Sequence, residues 1–487
     1  MVLSSSPPLS EQRSEQRLQL RYWHRLDLQN RSGADVFEAL FDASAIATLL
    51  ESPDRVDGAP NNLIRYSLCA GAPQQLNNQS QLFTPAIGEI LPTLDRLVRG
   101  AESGVAPNSP ATPPEHLPFL GGWLGWLGFD AAWEIEQLPY LNHDPLPFPV
   151  AYWYEPAQFA ILDHQQQHLW LAATSLNELD LMVQRLENYC PSATGPASST
   201  HVPQPVTLCS DQVQFETAVQ KAKDHIRAGD VFQVNLSLRF QTATGQSPWQ
   251  LYRQLHHINP SPFASYWRTP WGHVISCSPE RLVHLRDKTV QTRPIAGTRP
   301  RGTTPETDRA LAQALQANRK EQAEHIMLVD LERNDLGRVC TWGSIQVDEL
   351  MVIERYSHVM HLVSNVIGQL KPSLNAIDVI RATFPGGTIT GCPKVRCMEI
   401  IETLEPLRRS LFYGSCGYLD VRGQLDLNIL IRTLLLAPME ADSSEIGQHR
   451  VWGQVGAGIV ADSNPHQEWL ESLQKAQAQL LALGVSI

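Results

Sequence analysis

The sequence predicts a mixed α/β or α+β fold, with many strands and interspersed helices in both halves of the chain. Short apolar runs bounded by turn residues, such as residues 159–163 and 168–173, are typical of strands. Apolar residues at helical spacing, such as Phe215 and Val219, occur between these runs, and Gly229 is placed to end that helix. The 487 residues, of which 43% are hydrophobic, suffice for one large core or two smaller ones.

The composition is that of an ordinary globular protein. The net charge of −12 and the isoelectric point near 5.7 argue against nucleic acid or an anionic membrane as the main partner. No apolar run approaches the ~18 residues of a membrane-spanning helix, and residues 1–20 lack the apolar core of a signal peptide. Eight cysteines without a CxxC pair indicate reduced thiols rather than disulfides or a zinc site. We therefore expect an intracellular, cytoplasmic protein.

A segment rich in Pro, Ser, Thr and Ala at residues 190–206 predicts a linker between two domains. The first domain covers residues 1–200 and begins with a polar leader, residues 1–20, that is predicted to be disordered. The second domain covers residues 207–487 and opens with the helix that ends at Gly229.

The predicted elements of the first domain are short. Residues 21–28 and 35–40 have strand-like or helical apolar patterns, and another apolar segment follows at 45–52. Glycine and aromatic residues alternate over 121–130, which is typical of a strand that a neighbour approaches closely. Successive strands of one sheet are predicted at 150–154, 159–163 and 168–173.

The second domain alternates strands with longer helices. Thr304 is placed as an N-cap and Pro305 as the first helical residue, so one long helix is predicted from 305 through 325. Asn464 and Pro465 start the last helix in the same way. Apolar runs predict strands at 231–240, 273–277, 281–285, 427–435 and 451–460, and residues 292–302 are predicted to form a cation-rich turn.

Residues 384–402, with the sequence FPGGTITGCPKVRCMEIIE, predict a cradle for an anion. Gly386 and Gly387 let backbone N–H groups crowd together, and the helix after Pro393 directs its positive dipole end at the same place. Lys394 and Arg396 add positive charge in the first helical turn. A tight strand-to-helix connection without a ligand is the alternative.

Two Glu-x-x-Glu pairs on separate helices indicate a candidate metal site. Glu321 and Glu324 form one pair, and Glu468 and Glu471 form the other. Either pair alone is typical of a solvated helix face. If the two helices converge, four carboxylates without cationic partners would repel one another unless a divalent cation lay between them. Mg²⁺ suits such a site, because it takes oxygen ligands and completes its shell with water and an anionic substrate.

Arg432 lies within the apolar run 427–435, where an unpaired cation would be costly to bury. Either a buried ion pair or a fork for a substrate carboxylate would explain it, and the sequence leaves both open. The G-x-G-x-x-A pattern from Gly456 to Ala461 is rejected as a dinucleotide fingerprint, because it lies too close to the C-terminus for a βαβ unit.

Several segments together resemble the chorismate-utilising enzymes, with component I of aminodeoxychorismate synthase and of anthranilate synthase as the nearest members. The likeness covers residues 210–478 and extends more weakly through 49–52 and 121–130. The segments are AGDVFQVNLSLRF (228–240), RPIAGTRPRG (293–302), EHIMLVDLERNDLGRV (324–339), ERYSHVMHLVSNV (354–366), FPGGTITGCPKVR (384–396), LNILIRT (427–433) and GAGIVADSNPHQE (456–468).

The resemblance implies a fold and a reaction. The fold would be a large four-layer α/β/β/α sandwich with the active site between its sheets. The reaction would be Mg²⁺-dependent replacement of a hydroxyl of chorismate by ammonia, which a separate glutamine amidotransferase subunit would supply. Glu324 and Glu471 would hold Mg²⁺, and Glu321 and Glu468 would support it through bound waters.

The resemblance also assigns roles to single residues. Glu280 would be the general acid beside the departing hydroxyl, which leaves poorly without a proton. His361 would line the reacting ring. Relatives that add water have a lysine base where Gln233 stands, so Gln233 favours ammonia as the nucleophile. The residues that would bind the substrate carboxylates are Thr388, Tyr413, Arg432, Gly456, Ala457, Gly458 and Lys475.

Some motifs indicate one amine product and some indicate the other. Ala296 stands where many aminodeoxychorismate synthases have a nucleophilic lysine. Anthranilate synthases also have alanine at this position. The absence of the lysine excludes a covalent lysine route. Asn235, Gly386-Gly387 and Asn428 resemble aminodeoxychorismate synthases instead. We therefore favour 4-amino-4-deoxychorismate, a precursor of 4-aminobenzoate and folate, as the product, with anthranilate synthase as the alternative.

A second ligand site is implied by residues that resemble the tryptophan pocket of the family. In anthranilate synthases this pocket serves feedback inhibition, whereas in relatives it holds tryptophan structurally or nothing. A tryptophan-binding regulator without catalysis is therefore the rival hypothesis from another functional class. The pocket residues are Glu51, Ser52, Asn259, Pro260, Ser261 and Phe263.

Overall fold

Two large sheets that face each other form the frame of the molecule. The structure is a computed structural model, and it describes residues 17–52, 63–190, 204–356, 359–439 and 448–485. All eight cysteines lie in these ranges and none is in a disulfide. No helix within the same ranges has the length and apolarity that crossing a membrane requires.

The elements before residue 190 are mostly short strands. The strands are β1 (Arg17–Asp27), β2 (Ala47–Glu51), β3 (Tyr66–Ala70), β4 (Gln75–Leu76), β5 (Gln79–Ser80), β6 (Leu82–Phe83), β7 (Ala101–Val105), β8 (Gly122–Leu127), β9 (Ala151–Tyr154), β10 (Gln158–Asp163) and β11 (His168–Ala173). The helices are α1 (Gly33–Phe41), α2 (Ile90–Arg99), α3 (Ala132–Ile135) and α4 (Leu176–Asn188).

The elements after residue 204 include the longer helices. The strands are β12 (Thr207–Leu208), β13 (Gln233–Thr244), β14 (Phe263–Thr269), β15 (Gly272–Ser278), β16 (Arg281–Arg286), β17 (Thr289–Thr292), β18 (Ile295–Pro300), β19 (Gln346–Arg355), β20 (Val359–Gln369), β21 (Gly391–Cys392), β22 (Ser415–Asp420), β23 (Leu425–Asn428), β24 (Thr433–Pro438) and β25 (His449–Ile459). The helices are α5 (Gln212–Arg227), α6 (Pro248–Ile258), α7 (Pro305–Ala317), α8 (Arg319–Val339), α9 (Ala376–Thr383), α10 (Lys394–Leu404) and α11 (Pro465–Ala482).

Strands from both sides of the predicted linker share each large sheet. The first sheet has the order β12-β13-β25-β24-β15-β14-β2-β3-β10-β11-β1-β7, with β21 also paired to β13. The second has the order β18-β20-β17-β16-β23-β22-β8-β9-β6, with β19 also paired to β20. The division into two domains near residue 200 stays a prediction, and most of the predicted linker lies outside the described residues.

The inner faces of the two sheets enclose one hydrophobic core. Trp267 of the first sheet meets Trp126 of the second edge-on, with ring centres 5.8 Å apart. A second core lies between the outer face of the first sheet and helices α1, α4, α5, α6 and α11. Helices α8 and α9 pack on the second sheet, against β20 and β16. The predicted α/β/β/α sandwich is therefore confirmed.

The strand of alternating glycine and aromatic residues is also confirmed. Strand β8 lies between β22 and β9 in the second sheet, and its residues are buried. A Cβ on Gly125 would lie 2.1 Å from the carbonyl oxygen of Tyr152, so only glycine allows β9 to approach this closely.

Three predictions for individual elements are wrong, two in the first half of the chain and one in the second. Residues 1–16 of the predicted leader lie outside the described residues, but residues 17–20 begin strand β1, which pairs with β7. Strand β9 belongs to the second sheet, whereas β10 and β11 belong to the first, so these strands do not share one sheet. Residues 292–302 include strand β18, whose backbone pairs with β20, rather than a turn alone.

Two longer predicted elements are broken in the structure. The Asn318 side chain accepts hydrogen bonds from the N–H groups of Lys320 and Glu321, at 3.0 Å and 3.2 Å. It therefore caps a new helix, α8, and the predicted helix from 305 through 325 is two helices. The predicted strand 427–435 is interrupted between β23 and β24, where Arg432 has a left-handed backbone with φ of 53°.

Candidate active site

The predicted cradle is the loop that joins α9 to α10 through strand β21. A Cβ on Gly387 would lie 2.4 Å from the side chain of Leu331, so any larger residue here would have to displace Leu331. The hydroxyl of Thr390 donates to the carbonyl of Gly386 at 2.8 Å, which closes the turn before Pro393 and α10. The connection from a glycine-rich turn to a helix is confirmed.

The two cations in the first turn of α10 already have carboxylate partners. Lys394 Nζ donates to Asp335 Oδ2 at 2.6 Å. Arg396 pairs with Glu399 at 2.7 Å and with Asp230 at 3.1 Å. The prediction that Lys394 and Arg396 offer free positive charge to an anion is therefore wrong.

Two amide side chains on β13 lie against glycines of β25. Gln233 Nε2 would be 2.3 Å from a Cβ on Gly458, and Asn235 Oδ1 would be 3.1 Å from a Cβ on Gly456. The side chains of Gln233 and Asn235 therefore occupy the space that larger residues on β25 would fill, beside the intervening buried Ala457. Within the described part of the chain, Gln233 Oε1, Asn235 Oδ1 and Thr388 Oγ1 are buried and accept or donate no hydrogen bond. Buried polar atoms normally have partners, so these three atoms are available to a ligand or to water.

Arg432 and Tyr413 complete this wall from the segments that precede β24 and β22. Both have left-handed backbones, with φ of 53° and 65°, which is uncommon for residues other than glycine and is frequent at functional sites. Tyr413 Oη would lie 2.8 Å from a Cβ on Gly456. Arg432 is half-buried, and no carboxylate of the described residues forms an ion pair with it. The fork for a ligand carboxylate is thus favoured over the buried ion pair.

Lys475 connects this wall to the carboxylates of α11. Its ammonium donates to the carbonyl of Gly456 at 2.9 Å and pairs with Glu471 at 2.8 Å. Its main-chain carbonyl accepts a hydrogen bond from Arg432. Two of the predicted carboxylate-binding cations therefore lie side by side.

Glu280 lies at the other side of the cradle in a nearly dry setting. It is 6% exposed, and burial raises the pKa of Glu280 to about 7. The Thr388 hydroxyl and the N–H of Ile295 face the carboxyl and oppose that rise in its pKa. The Thr388 hydroxyl makes no hydrogen bond of normal geometry, so it lies close to Glu280 but has no hydrogen-bond partner. A carboxyl with this pKa is half protonated near neutral pH and is suited to general acid catalysis.

His361 lies in β20, opposite Thr298 of β18. Its Nδ1 is 3.0 Å from the Thr298 hydroxyl. Burial, together with the charge of Arg432, lowers the pKa of His361 to about 4, so the ring is neutral at physiological pH. The sequence analysis did not single out Thr298, and no local pattern points to it, because only the pairing of two distant strands brings it to His361.

Glu324 and Glu468, on the two helices that carry the glutamate pairs, lie within range of each other's charge, and the meeting of all four carboxylates stays a prediction. Burial raises the pKa of both Glu324 on α8 and Glu468 on α11, and the charge of Glu468 raises the pKa of Glu324 further. Glu321 lies beside strand β18, which pairs with β20 at His361, since Glu321 Oε2 would be 2.8 Å from a Cβ on Gly297.

The prediction that these carboxylates lack cationic partners is wrong for three of them. Glu321 pairs with Arg299 at 3.3 Å and Glu324 with Lys320 at 3.7 Å. Glu471 pairs with Lys475, as described above. Two of the pairs are i,i+4 neighbours on a helix, a spacing that is visible in the sequence.

The donor set fits Mg²⁺ by its chemistry. All four candidates are carboxylates, and the repulsion between Glu324 and Glu468 would be relieved by a divalent cation. Within the described residues, no three His, Cys, Asp or Glu side chains are arranged to hold a metal ion by themselves. Water and a substrate carboxylate would therefore complete the shell, which is the usual way in which proteins bind this ion.

Half of the six residues that resemble a tryptophan pocket line a separate cavity of about 320 Å³. Glu51, Ser52 and Phe263 line it, whereas Asn259, Pro260 and Ser261 do not. Both carboxyl oxygens of Glu51 are already bonded, to the N–H of Ala34 at 2.9 Å and to the hydroxyl of Tyr252 at 2.6 Å. Asn259 donates to the carbonyl of Cys277 at 3.3 Å, and Ser261 donates to the carbonyl of Asn259 at 3.1 Å. None of the candidate catalytic residues lines this cavity.

The structure adds one buried carboxyl that the sequence analysis missed. Glu332 lies on α8 and is 7% exposed, below the cradle. A single glutamate in a charged helical stretch, LERND, is typical of an exposed position, so the sequence contains no signal for its burial.

Comparison with known proteins gives one family match. Residues 77–481 match the family model of the chorismate binding enzymes. An anthranilate synthase component I-like protein of Synechocystis sp. is 56% identical over 99% of this chain and 96% of its own length. Aminodeoxychorismate synthase component 1 of Bacillus subtilis is 45% identical over 77% of this chain and 79% of its own length.

A solved structure supports the same relationship at the level of the fold. The crystal structure of anthranilate synthase component I from Streptococcus pneumoniae TIGR4 superposes with a TM-score of 0.71 and 31% sequence identity. The superposition covers 85% of this chain and 92% of that one.

Proposed function

This chain belongs to the chorismate binding enzymes, and on that premise we propose that it replaces a hydroxyl of chorismate by ammonia to form 4-amino-4-deoxychorismate. The proposal includes Mg²⁺ as cofactor and a separate glutamine amidotransferase subunit as the source of ammonia. The observation that supports it most is the arrangement of a half-buried guanidinium without a carboxylate partner, Arg432, on the same site as the buried acid Glu280.

Substrate binding is proposed to rest on Arg432 and Lys475. A guanidinium in a site poor in water loses hydration that only an anion can replace. A carboxylate of chorismate would accept two parallel hydrogen bonds from Arg432 and a third from Lys475. The unpaired hydroxyl of Thr388, the Tyr413 hydroxyl and the backbone at Gly456 would complete the wall.

Glu280 is proposed to protonate the departing hydroxyl. The C–O bond breaks and the hydroxyl leaves as water with the proton of Glu280, while the nitrogen of ammonia forms the new C–N bond and then loses a proton. The buried carboxyl keeps its proton to near-neutral pH, which a surface glutamate does not. His361 is neutral and would line the ring without adding charge.

Gln233 supports ammonia rather than water as the nucleophile. Its free amide oxygen, Oε1, would accept an N–H of ammonia and hold the lone pair toward the substrate. An amide cannot deprotonate water, whereas ammonia needs no base before it attacks.

When bound, Mg²⁺ would offset the negative charge of a substrate carboxylate, with Glu324 and Glu471 as its ligands and Glu321 and Glu468 in support. Binding of the ion would require Lys320 and Lys475 to give up their present carboxylate partners. Lys475 would then be available to the substrate.

Anthranilate synthesis is the second candidate function. The relative that is 56% identical bears the anthranilate synthase component I-like name. Asn428, which favours the 4-amino product by resemblance, accepts a hydrogen bond from the N–H of Cys416 and donates to the carbonyl of Phe263. The identity of Asn428 thus has a structural explanation, and Asn235 and Gly386-Gly387 remain the site residues that favour the 4-amino product.

Product analysis tests the proposal. The purified chain is incubated with chorismate, Mg²⁺ and ammonium salt at several pH values from neutral to alkaline, because free ammonia increases with pH whereas Glu280 loses its proton. The products are separated and identified by mass. A 4-amino adduct that becomes aromatic only after a separate lyase is added is the expected result. Direct release of fluorescent anthranilate and pyruvate would replace the proposal with the second candidate. Tryptophan binding without turnover would instead favour a regulator.

The separate cavity of about 320 Å³ is the proposed tryptophan site. Calorimetric titration with tryptophan, with and without a Ser52→Trp substitution that fills the cavity, tests this proposal. Binding to the unmodified chain that the substitution removes is expected.

A further inference from the structure

Arg409 is a buried arginine between the cradle and strand β13. It is 1% exposed and forms an ion pair with Glu405 at 2.7 Å. The same guanidinium donates from Nη1 to the carbonyl of Ile389 at 2.8 Å and from Nη2 to the carbonyl of Asn235 at 2.7 Å. Ile389 follows Thr388 in the cradle, and Asn235 lies on β13. One side chain therefore joins two segments that line the candidate active site.

A third segment that Arg409 contacts carries Tyr413. The Cζ atom of Arg409 lies 4.7 Å from the ring centre of Tyr413 and 4.7 Å from the ring centre of Phe129. Attraction between a cation and an aromatic ring is stronger where water is excluded. Tyr413 is the residue whose hydroxyl lies beside Gly456. The contact with Arg409 therefore helps to place this hydroxyl.

Glu405, which follows α10, holds the guanidinium in a fixed orientation. Its carboxylate accepts a hydrogen bond from Nε of Arg409 at 3.0 Å and another from Nη2 at 2.7 Å. It also accepts hydrogen bonds from the N–H and the hydroxyl of Ser237 on β13, both at 2.8 Å. Glu405 is 7% exposed, so the ion pair is shielded from water and salt. The pair is therefore anchored to β13 as well as to the cradle.

We propose that Arg409 is a positioning residue that holds the substrate wall, formed by Asn235, Thr388 and Tyr413, in one arrangement for binding chorismate. The inference rests on the proposed function, because that function assigns this wall to the substrate. Four hydrogen bonds already engage the guanidinium inside the protein. Arg409 therefore acts on the substrate through its neighbours.

The physical basis is the shape of the guanidinium. Arginine presents five N–H donors in one rigid plane, and Arg409 directs them to two carbonyls and one carboxylate. Lysine at this position would keep the charge but donates from a single nitrogen, so it cannot bridge the same acceptors. The cradle and β13 would then lose their common partner, and the residues of the substrate wall would shift.

The first test measures binding without turnover. Chorismate is titrated by calorimetry into the unmodified chain and into Arg409→Lys, with Mg²⁺ present and ammonium absent. Arg409→Lys should bind chorismate about 10- to 30-fold more weakly, because the substrate wall has lost its common donor. An unchanged affinity would overturn the proposal.

Arg408→Lys is the matched control. Arg408 is also buried, at 2% exposure, but its guanidinium lies against the rings of Trp133 and Tyr140, at 4.0 Å and 3.7 Å from their centres. Its ion-pair partners, Asp130 and Glu402, are each 3.8 Å away. This variant should lose stability and keep its affinity for chorismate. An equal loss of affinity in Arg408→Lys would overturn the proposal, since any disturbance of the buried arginines would then suffice.

A second variant keeps the proposal testable if Arg409→Lys does not fold. The double variant Arg409→Met with Glu405→Leu removes both charges of the buried pair, and such exchanges are often neutral or stabilising. Chemical denaturation measures its free energy of unfolding. A folded double variant with weakened chorismate binding is expected. A folded double variant with unchanged binding would contradict the positioning role.

The second test separates positioning from a loss of folded protein. In steady-state amination, Arg409→Lys should raise KM for chorismate by about 10- to 30-fold and change kcat by less than about threefold. A lower kcat with an unchanged KM is what a smaller amount of folded enzyme would give, and this result would overturn the proposal.

The two tests also separate this inference from the proposed function. If the unmodified chain forms no 4-amino adduct but Arg409→Lys weakens chorismate binding, the proposed function fails and the positioning role stands. If the adduct forms and Arg409→Lys binds chorismate normally, the positioning role fails alone. An unmodified chain that binds no chorismate would overturn both.

Discussion

The guanidinium of Arg432 donates a hydrogen bond to the main-chain carbonyl of Lys475 at 2.5 Å. Lys475 in turn donates from its ammonium to the carbonyl of Gly456 at 2.9 Å. The middle of α11 is thereby tied to β25 and to the residue that precedes β24. Two cations lie on one wall, with Glu471 as the ion-pair partner of Lys475. This arrangement has direct consequences for binding and stability.

Replacing Arg432 by glutamine should weaken substrate binding without weakening the fold. Losing charge-assisted hydrogen bonds to a carboxylate corresponds to a rise in KM of about 10- to 100-fold. The free energy of unfolding should change little, because the removal of a desolvated cation without a carboxylate partner offsets the loss of the hydrogen bond to the Lys475 carbonyl. Steady-state kinetics and chemical denaturation measure both effects. Arg450→Gln, on the exposed side of β25, should leave both quantities unchanged.

Glu280→Gln should lower kcat by about 10²- to 10⁴-fold while leaving substrate binding intact. In the unmodified enzyme, activity should fall as pH rises through about 7, because the acid must be protonated. The raised pKa of Glu280 stabilises the folded protein at pH values below the pKa that Glu280 has in the unfolded chain. This contribution to the free energy of unfolding is lost as pH rises through about 7, and the loss is at most about 3 kcal/mol. Denaturation of the variant at several pH values should show that this loss has disappeared, and an unaltered pH dependence would contradict the assignment.

Glu324→Gln should abolish Mg²⁺-dependent activity and leave the fold intact. Without the ion, the variant should be more stable than the unmodified chain near neutral pH, because it lacks a half-buried carboxylate whose pKa is raised by desolvation and by the charge of Glu468. Thermal unfolding with increasing Mg²⁺ should show a rise in Tm for the unmodified chain only. Glu306→Gln on the exposed face of α7 serves as the control. Full activity of Glu324→Gln would refute its role as a metal ligand.

Alanine at Gly456 should lower stability, whereas alanine at Gly458 should lower the amination rate. At Gly456 the new Cβ would lie 2.4 Å from the backbone oxygen of Leu236, so strands must separate and stability should fall by about 1–3 kcal/mol. At Gly458 the nearest atom is the flexible amide of Gln233, which can move. That variant should fold normally but lose about 10- to 100-fold in amination rate, because the Gln233 amide is displaced. Equal stability of the two variants would contradict this difference.

Local patterns predicted the elements whose signals are short-range. The capped start of α11 at Asn464 and Pro465 is observed, as is the glycine-rich turn before α10. The break at Asn318 was missed because an asparagine inside a helical pattern is compatible with both a continuous helix and a new N-cap. The placement of β9 in the second sheet was missed because sheet membership depends on pairing with β8 and β6, which the strand's own residues do not specify.

The sequence by itself determined the family, the mixed α/β class and the set of polar residues available for chemistry, because those depend on residue identity and spacing. Only the tertiary structure decided which of these residues meet and in what state. It paired Lys394 with Asp335, left Arg432 without a carboxylate among the described residues, and buried Glu280 and Glu332. The physical reason is that charge state and hydrogen bonding are set by desolvation and by neighbours that are distant along the chain.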